Sequence, residues 1–185
     1  QYLLLHHLQR EPLHFLKAMP LKETAQRLNI SAVMLSYAKA ELESSGLCAS
    51  FRTGRTVALR FLHDRPKVWE LALPRLRSPV LRRHWVNLEK PGLHAPRAGM
   101  SALSVYTHIS DDAKDTYAVY RKEFFLLRKS GDIRVLPDST EADWRVEEWS
   151  YPPCLPEEDD RVVERLSLYL SLQGNPDERV QQQRD

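Results

Sequence analysis

Over the first third of the chain, apolar positions recur at helical spacing, stop, recur again, and then switch to alternation. Leu4, Leu5 and Leu8, followed by Leu13, Phe15 and Leu16, predict an amphipathic helix over residues 1–18, bent or interrupted near Pro12. Leu21 to Leu28 predicts a second, short helix, with the small Ala25 where it must pass close to a neighbour. Asn29 follows, one of the few residues besides glycine that tolerates a left-handed turn. Ser31 offers a hydroxyl to cap the next helix. On that helix Leu35, Ala38 and Leu42 form one buried stripe, and Gly46 stops it. Leu47–Phe51 and Thr56–Phe61 then alternate about Thr53-Gly54 and predict a hairpin with a basic tip.

Beyond a polar break at His63–Pro66, the segment Val68–Val86 carries Trp69, Leu73, Leu76, Val80, Leu81 and Trp85 on one face. This predicts one helix, or two short ones kinked at Pro74 and Pro79. Glu89–Gly99 reads as a Pro/Gly loop, and Met100, Leu103, Val105 and Tyr106 as a short helix. Tyr117–Leu127, Ile133–Leu136 and Trp144–Tyr151 read as strands, with a turn at Lys129–Asp132. Pro152–Asp160 is a linker whose acidic end suits the start of a helix over Arg161–Leu172, striped by Val162, Val163, Leu166 and Leu170. A last polar helix is expected after Asn175-Pro176. The expected fold is α+β: an N-terminal helix-turn-helix with hairpin (1–64), a basic helical connector (65–97) and a smaller α+β domain (98–185).

An apolar share of 42% and a charged share of 28% are those of an ordinary soluble globular protein. The net charge of +2 hides an asymmetry. Residues 1–97 hold 16 Lys/Arg against 7 Asp/Glu, a balance of +9, and residues 98–185 hold 11 against 18, a balance of −7. A basic first half suggests a polyanionic partner. The most basic stretch, with Lys67, Arg75, Arg77, Arg82 and Arg83, fits phosphate contact, docking on acidic groups of the second half, or a solvated face. Cys48 and Cys154 form neither a metal spacing nor a disulfide scaffold, so a reducing cytoplasm is expected. No apolar run reaches the ~20 residues of a membrane span, and the first residues show no signal-peptide pattern.

The order helix, turn, helix, hairpin over residues 21–62 resembles the winged helix-turn-helix transcription regulators of the MarR and ArsR kind. Ala25, Leu28, Ile30, Leu35 and Ala38 fall on that pattern's small or apolar positions, and ELESSGLCASFRTGRTVALRF is similar to its ending of Gly-Leu, strand, basic Gly turn and strand. Asn29 stands where the turn glycine is usual, and Thr24 where an apolar residue is usual. The resemblance implies a transcriptional regulator of repressor kind that binds double-stranded DNA, as a homodimer on two half-sites. Lys22, Lys39, Arg52 and Arg55 are then expected to contact phosphates, with Thr53 beside them on the wing. Ser31, Ser36 and Tyr37 would face bases, and Ala32 and Val33 could touch a thymine methyl.

The outward face of the second helix (Ala32, Val33, Ser36, Tyr37, Ala40) is almost uncharged. The alternative is therefore a protein-interaction module that docks a partner or a second subunit there. In the second half, AGMSALSVYTHIS followed by short strands resembles the C-terminal region of AbiEi-type antitoxins, which implies a toxin as a protein partner of that half.

No catalytic arrangement stands out. Ser101, His108 and Asp111 are close only along the chain, whereas a triad is defined in space. No nucleophile elbow or phosphate-binding glycine loop is present. Glu157, Glu158, Asp159 and Asp160 could hold a divalent ion but read better as a solvated cap, and His6, His7 and His14 read as surface or boundary residues rather than metal ligands. Cys48 could act as a redox sensor beside the wing arginines, or be a small core residue. No enzyme activity, metal or cofactor is expected.

Overall fold

The computed structural model describes residues 1–9, 19–90, 94–110, 112, 114–153, 161–175 and 180–181. The expected bend at Pro12, His14, Asp111 and the Glu157–Asp160 run lie outside these. The fold is α+β, with seven helices and two sheets among the described residues. The chain divides into two compact units, Gln1–Leu76 and Arg77–Asp185.

The first unit runs α1 (Tyr2–Leu8), β1 (Met19–Pro20), α2 (Leu21–Arg27), α3 (Ala32–Ser44), β2 (Cys48–Thr53), β3 (Thr56–Phe61) and α4 (Arg65–Ala72), the last followed by one 3-10 turn. Its sheet is antiparallel in the order β1-β3-β2. Register puts Cys48, Leu59 and Phe61 on one face, and they are buried, as are Leu4, Leu5, Leu35, Leu42 and Val68 of the same unit. His7 is not a surface histidine. It is fully buried, its ring stacked on Phe61 at 4.0 Å and 9°. Its Nδ1 lies 3.2 Å from the Met19 thioether, which can only accept, so this contact places the proton on Nδ1. α4 belongs to this unit through Val68 and Ala72, so the expected connector 65–97 is shared between the units.

The second unit runs β4 (Val80–Leu88), α5 (Gly99–Tyr106), β5 (Thr116–Tyr120), α6 (Arg121–Ser130), β6 (Ile133–Leu136), β7 (Trp144–Trp149) and α7 (Arg165–Ser171). Its sheet order is β5-β7-β4-β6, with β5 and β7 parallel and the other pairs antiparallel. Val86, Val119, Phe124, Ile133 and Val146 form a core between one sheet face and α6. α5 packs against β5 and α7.

Three expectations fail here. The helix expected over Arg161–Leu172 begins only at Arg165, so Val162 and Val163 precede it, Val162 in a β-bridge with Arg97. The helix expected to reach Val86 ends at Ala72, and Val80–Leu88 is a central strand. Its polar side chains are accommodated in a sheet because Arg83 Nε donates to Glu147 Oε1 at 3.0 Å and His84 Nε2 meets Glu148 Oε2 at 2.9 Å. The strand expected over 117–127 ends at Tyr120, where the chain turns directly into α6. Phe124 and Leu127 face the core from this helix while Phe125 and Leu126 stay exposed. No described helix is long and apolar enough to cross a membrane.

Candidate nucleic-acid interface

α2 and α3 are held at a fixed turn by backbone hydrogen bonds. Asn29 sits at φ +49, its N–H donating to the Gln26 carbonyl, and Ile30 N–H donates to Ala25. This is a Schellman closure, with asparagine in the left-handed position usually given to glycine. Ser31 then caps α3, its hydroxyl oxygen accepting Met34 N–H at 3.2 Å. α3 ends the same way: Gly46 has φ +69, with Gly46 N–H to Glu43 and Leu47 N–H to Leu42.

Between these closures α3 has a definite inside and outside. Leu35 and Leu42 are buried, while Ala32, Val33, Ser36, Tyr37 and Ala40 share the opposite, exposed face. Val33 is 62% exposed, Met34 56% and Tyr37 74%.

The hairpin closes through a two-residue loop, Gly54-Arg55, with Thr53 paired to Thr56 and Gly54 at φ +59. Glycine suits the first position of such a loop. Arg52 and Arg55 are exposed, and of Thr53 only the backbone is described. Ser50 and Arg52 lie on the same face of β2, two residues apart. Since the Ser50 hydroxyl is bonded to Lys39 of α3 at 3.2 Å, Arg52 projects toward the side of the hairpin on which α3 packs.

The remaining expected site residues divide. Lys22 is exposed in the first turn of α2, and Ser31, Ala32, Val33, Ser36 and Tyr37 are exposed on α3. Lys39 turns away from that face. It is half-buried, donates to Ser50 and pairs with Glu43 at 3.5 Å. Arg60 and Phe51 escaped the sequence reading. They are exposed on the outer face of the hairpin, with the Arg60 guanidinium 5.9 Å from the Phe51 ring centre. Strict alternation from the buried Leu59 and Phe61 was the signal that could have placed Arg60 outward.

Cys48 is a buried core residue. Burial, aided by the Glu43 carboxylate, pushes its thiol up to about 11, which keeps it protonated.

In the second unit, Ser101 is buried with its hydroxyl accepting Thr116 N–H at 2.8 Å, whereas His108 is exposed, so these two do not converge. A cavity of about 680 Å³ there is walled by Leu88, Val119, Leu126, Leu127 and Ile133, with Lys90 and Asp132 ion-paired at 2.6 Å among its lining. Among the described residues no group of three or more His, Cys, Asp or Glu is placed to hold a metal.

No protein-family model, curated protein or solved structure matches this chain.

Proposed function

We propose that the first unit is a winged helix-turn-helix that binds double-stranded DNA, and that the chain acts as a transcriptional regulator of repressor kind. α3 lies in the major groove and the β2–β3 hairpin touches the backbone beside it. One observation carries this reading: α3 presents a fully exposed face whose flanking hairpin ends in Arg52 and Arg55, neither of which has a carboxylate partner among the described residues. Such cations supply the sequence-independent part of DNA affinity. A homodimer would match two half-sites, and the second unit would provide dimerisation, ligand sensing or a partner surface. A gel shift of the full chain with random duplex at low salt tests the proposal. Retarded complexes that dissolve as salt rises are expected; no shift at any protein concentration rejects it.

A second reading is favoured by the apolar character of Val33, Met34 and Tyr37. In it α3 is a docking platform for a protein, such as a toxin or another subunit, and the chain is an antitoxin-like interaction module. That reading requires no affinity for duplex.

A further inference from the structure

Resting on the reading of the first unit as a DNA-binding winged helix, we infer that α3 selects its site through the 5-methyl groups of thymine. The side chains that read guanine or adenine by paired hydrogen bonds are Arg, Lys, Asn and Gln. None of these stands on the exposed face formed by Ala32, Val33, Ser36, Tyr37 and Ala40. Lys39, which the sequence places close by, is spent on Glu43 and Ser50.

What the face offers is apolar surface, with Val33 62% and Tyr37 74% exposed, interleaved with the hydroxyls of Ser36 and Tyr37. The only apolar group that a major groove presents is the thymine methyl. A valine suits that contact because its branched side chain holds one rotamer on a helix. The charge pattern favours a duplex over a protein as the occupant. Lys22, Arg52 and Arg55 are exposed and lack a carboxylate partner among the described residues, a surplus of positive charge in the unit that carries this face and that suits phosphates.

The test compares the full chain on two short duplexes at low salt, one of alternating dA and dT and one of alternating dA and dU, by fluorescence anisotropy. Uracil lacks only the methyl group. The thymine duplex is expected to bind about fourfold more tightly for each methyl seated on α3, from the transfer free energy of one buried carbon. Val33→Ser, at an exposed position, narrows that gap by about the same factor.

Equal affinity for the two duplexes overturns the inference while leaving DNA binding intact. A gap unchanged in Val33→Ser also overturns it, because the preference then comes from duplex shape. Absence of binding to either duplex rejects the parent reading. If Val33→Ser then also lowers the sedimenting mass, the face belongs to a second copy of the chain.

Discussion

Glu43 on α3 accepts the backbone N–H of Ser50 on β2 through Oε1 at 2.9 Å, while its Oε2 lies 3.5 Å from the Lys39 ammonium. β2 is an edge strand, so a helix side chain here occupies a main-chain donor that the sheet leaves over. The Ser50 hydroxyl foremost, then the Ser50 N–H and the Lys39 ammonium, hold the Glu43 carboxyl below the usual glutamate range against the opposing effect of burial.

Glu43→Ala should therefore loosen the hairpin from α3. The expected cost is about 1–2 kcal/mol, that of leaving a donor without its acceptor. Urea denaturation measures it, and amide exchange at Ser50 should accelerate. Glu43→Gln keeps a carbonyl oxygen in place and should recover most of the loss.

If the first unit binds duplex as proposed, the hairpin arginines and Lys39 should behave differently toward salt. Arg52→Ala and Arg55→Ala should each flatten the dependence of log affinity on log salt by about 0.9 if each neutralises one phosphate. Lys39→Ala should leave the slope unchanged, because its charge already serves Glu43 and Ser50. Titrations of random duplex at several salt concentrations give all three slopes.

Gly99 begins α5 at φ +54, and a methyl group there would lie 3.2 Å from Thr116 Cγ2. Thr116 cannot readily retreat, since its N–H is held by the buried Ser101 hydroxyl. Gly174 has a similar φ of +73 but open space around it. Gly174→Ala should cost about 1–2 kcal/mol, the left-handed penalty alone. Gly99→Ala should add about 1–3 kcal/mol of overpacking to that. Thermal unfolding of the two variants separates the contributions; equal losses would remove the crowding argument.

Glu164 caps α7, accepting Leu166 N–H at 2.5 Å and Ser167 N–H at 2.6 Å. Burial outweighs these bonds and raises its carboxyl from 4.5 to about 6. A raised acid favours the folded state while protonated. Its contribution is present in full below pH 4.5 and is lost as pH rises through about 6. The interval corresponds to about 2 kcal/mol. The melting temperature of the wild type, relative to Glu164→Gln at each pH, should fall across this window. A flat difference would show that the carboxyl titrates normally.

How much of this could be read from the residue order depends on whether the deciding partner is near in the chain. The α2–α3 turn was legible because Asn29, Ser31 and Gly46 act on neighbours within five residues. The outward face of α3 was legible for the same reason, since Leu35 and Leu42 decide which side is buried. The orientation of Lys39 was not, because it depends on a serine across the following strand. β4 looked helical because Arg82, Arg83 and His84 interrupt alternation. The carboxylates that make Arg83 and His84 tolerable in a sheet, Glu147 and Glu148, stand 64 residues further on. α6 looked extended because Phe125 and Leu126 are apolar yet exposed, which blurred the spacing of Phe124 and Leu127. His7 was misplaced because its partners, Met19 and Phe61, come from separate strands.

The position of β7 in the second sheet bears on how the protein is made. Of the strands among the described residues, the last in chain order is an inner one, inserted between β5 and β4. Until residue 149 emerges, β4 and β5 each lack the neighbour that the folded sheet gives them. Nascent chains halted before that point should be prime substrates for chaperones, and any shortened version lacking β7 should aggregate rather than fold.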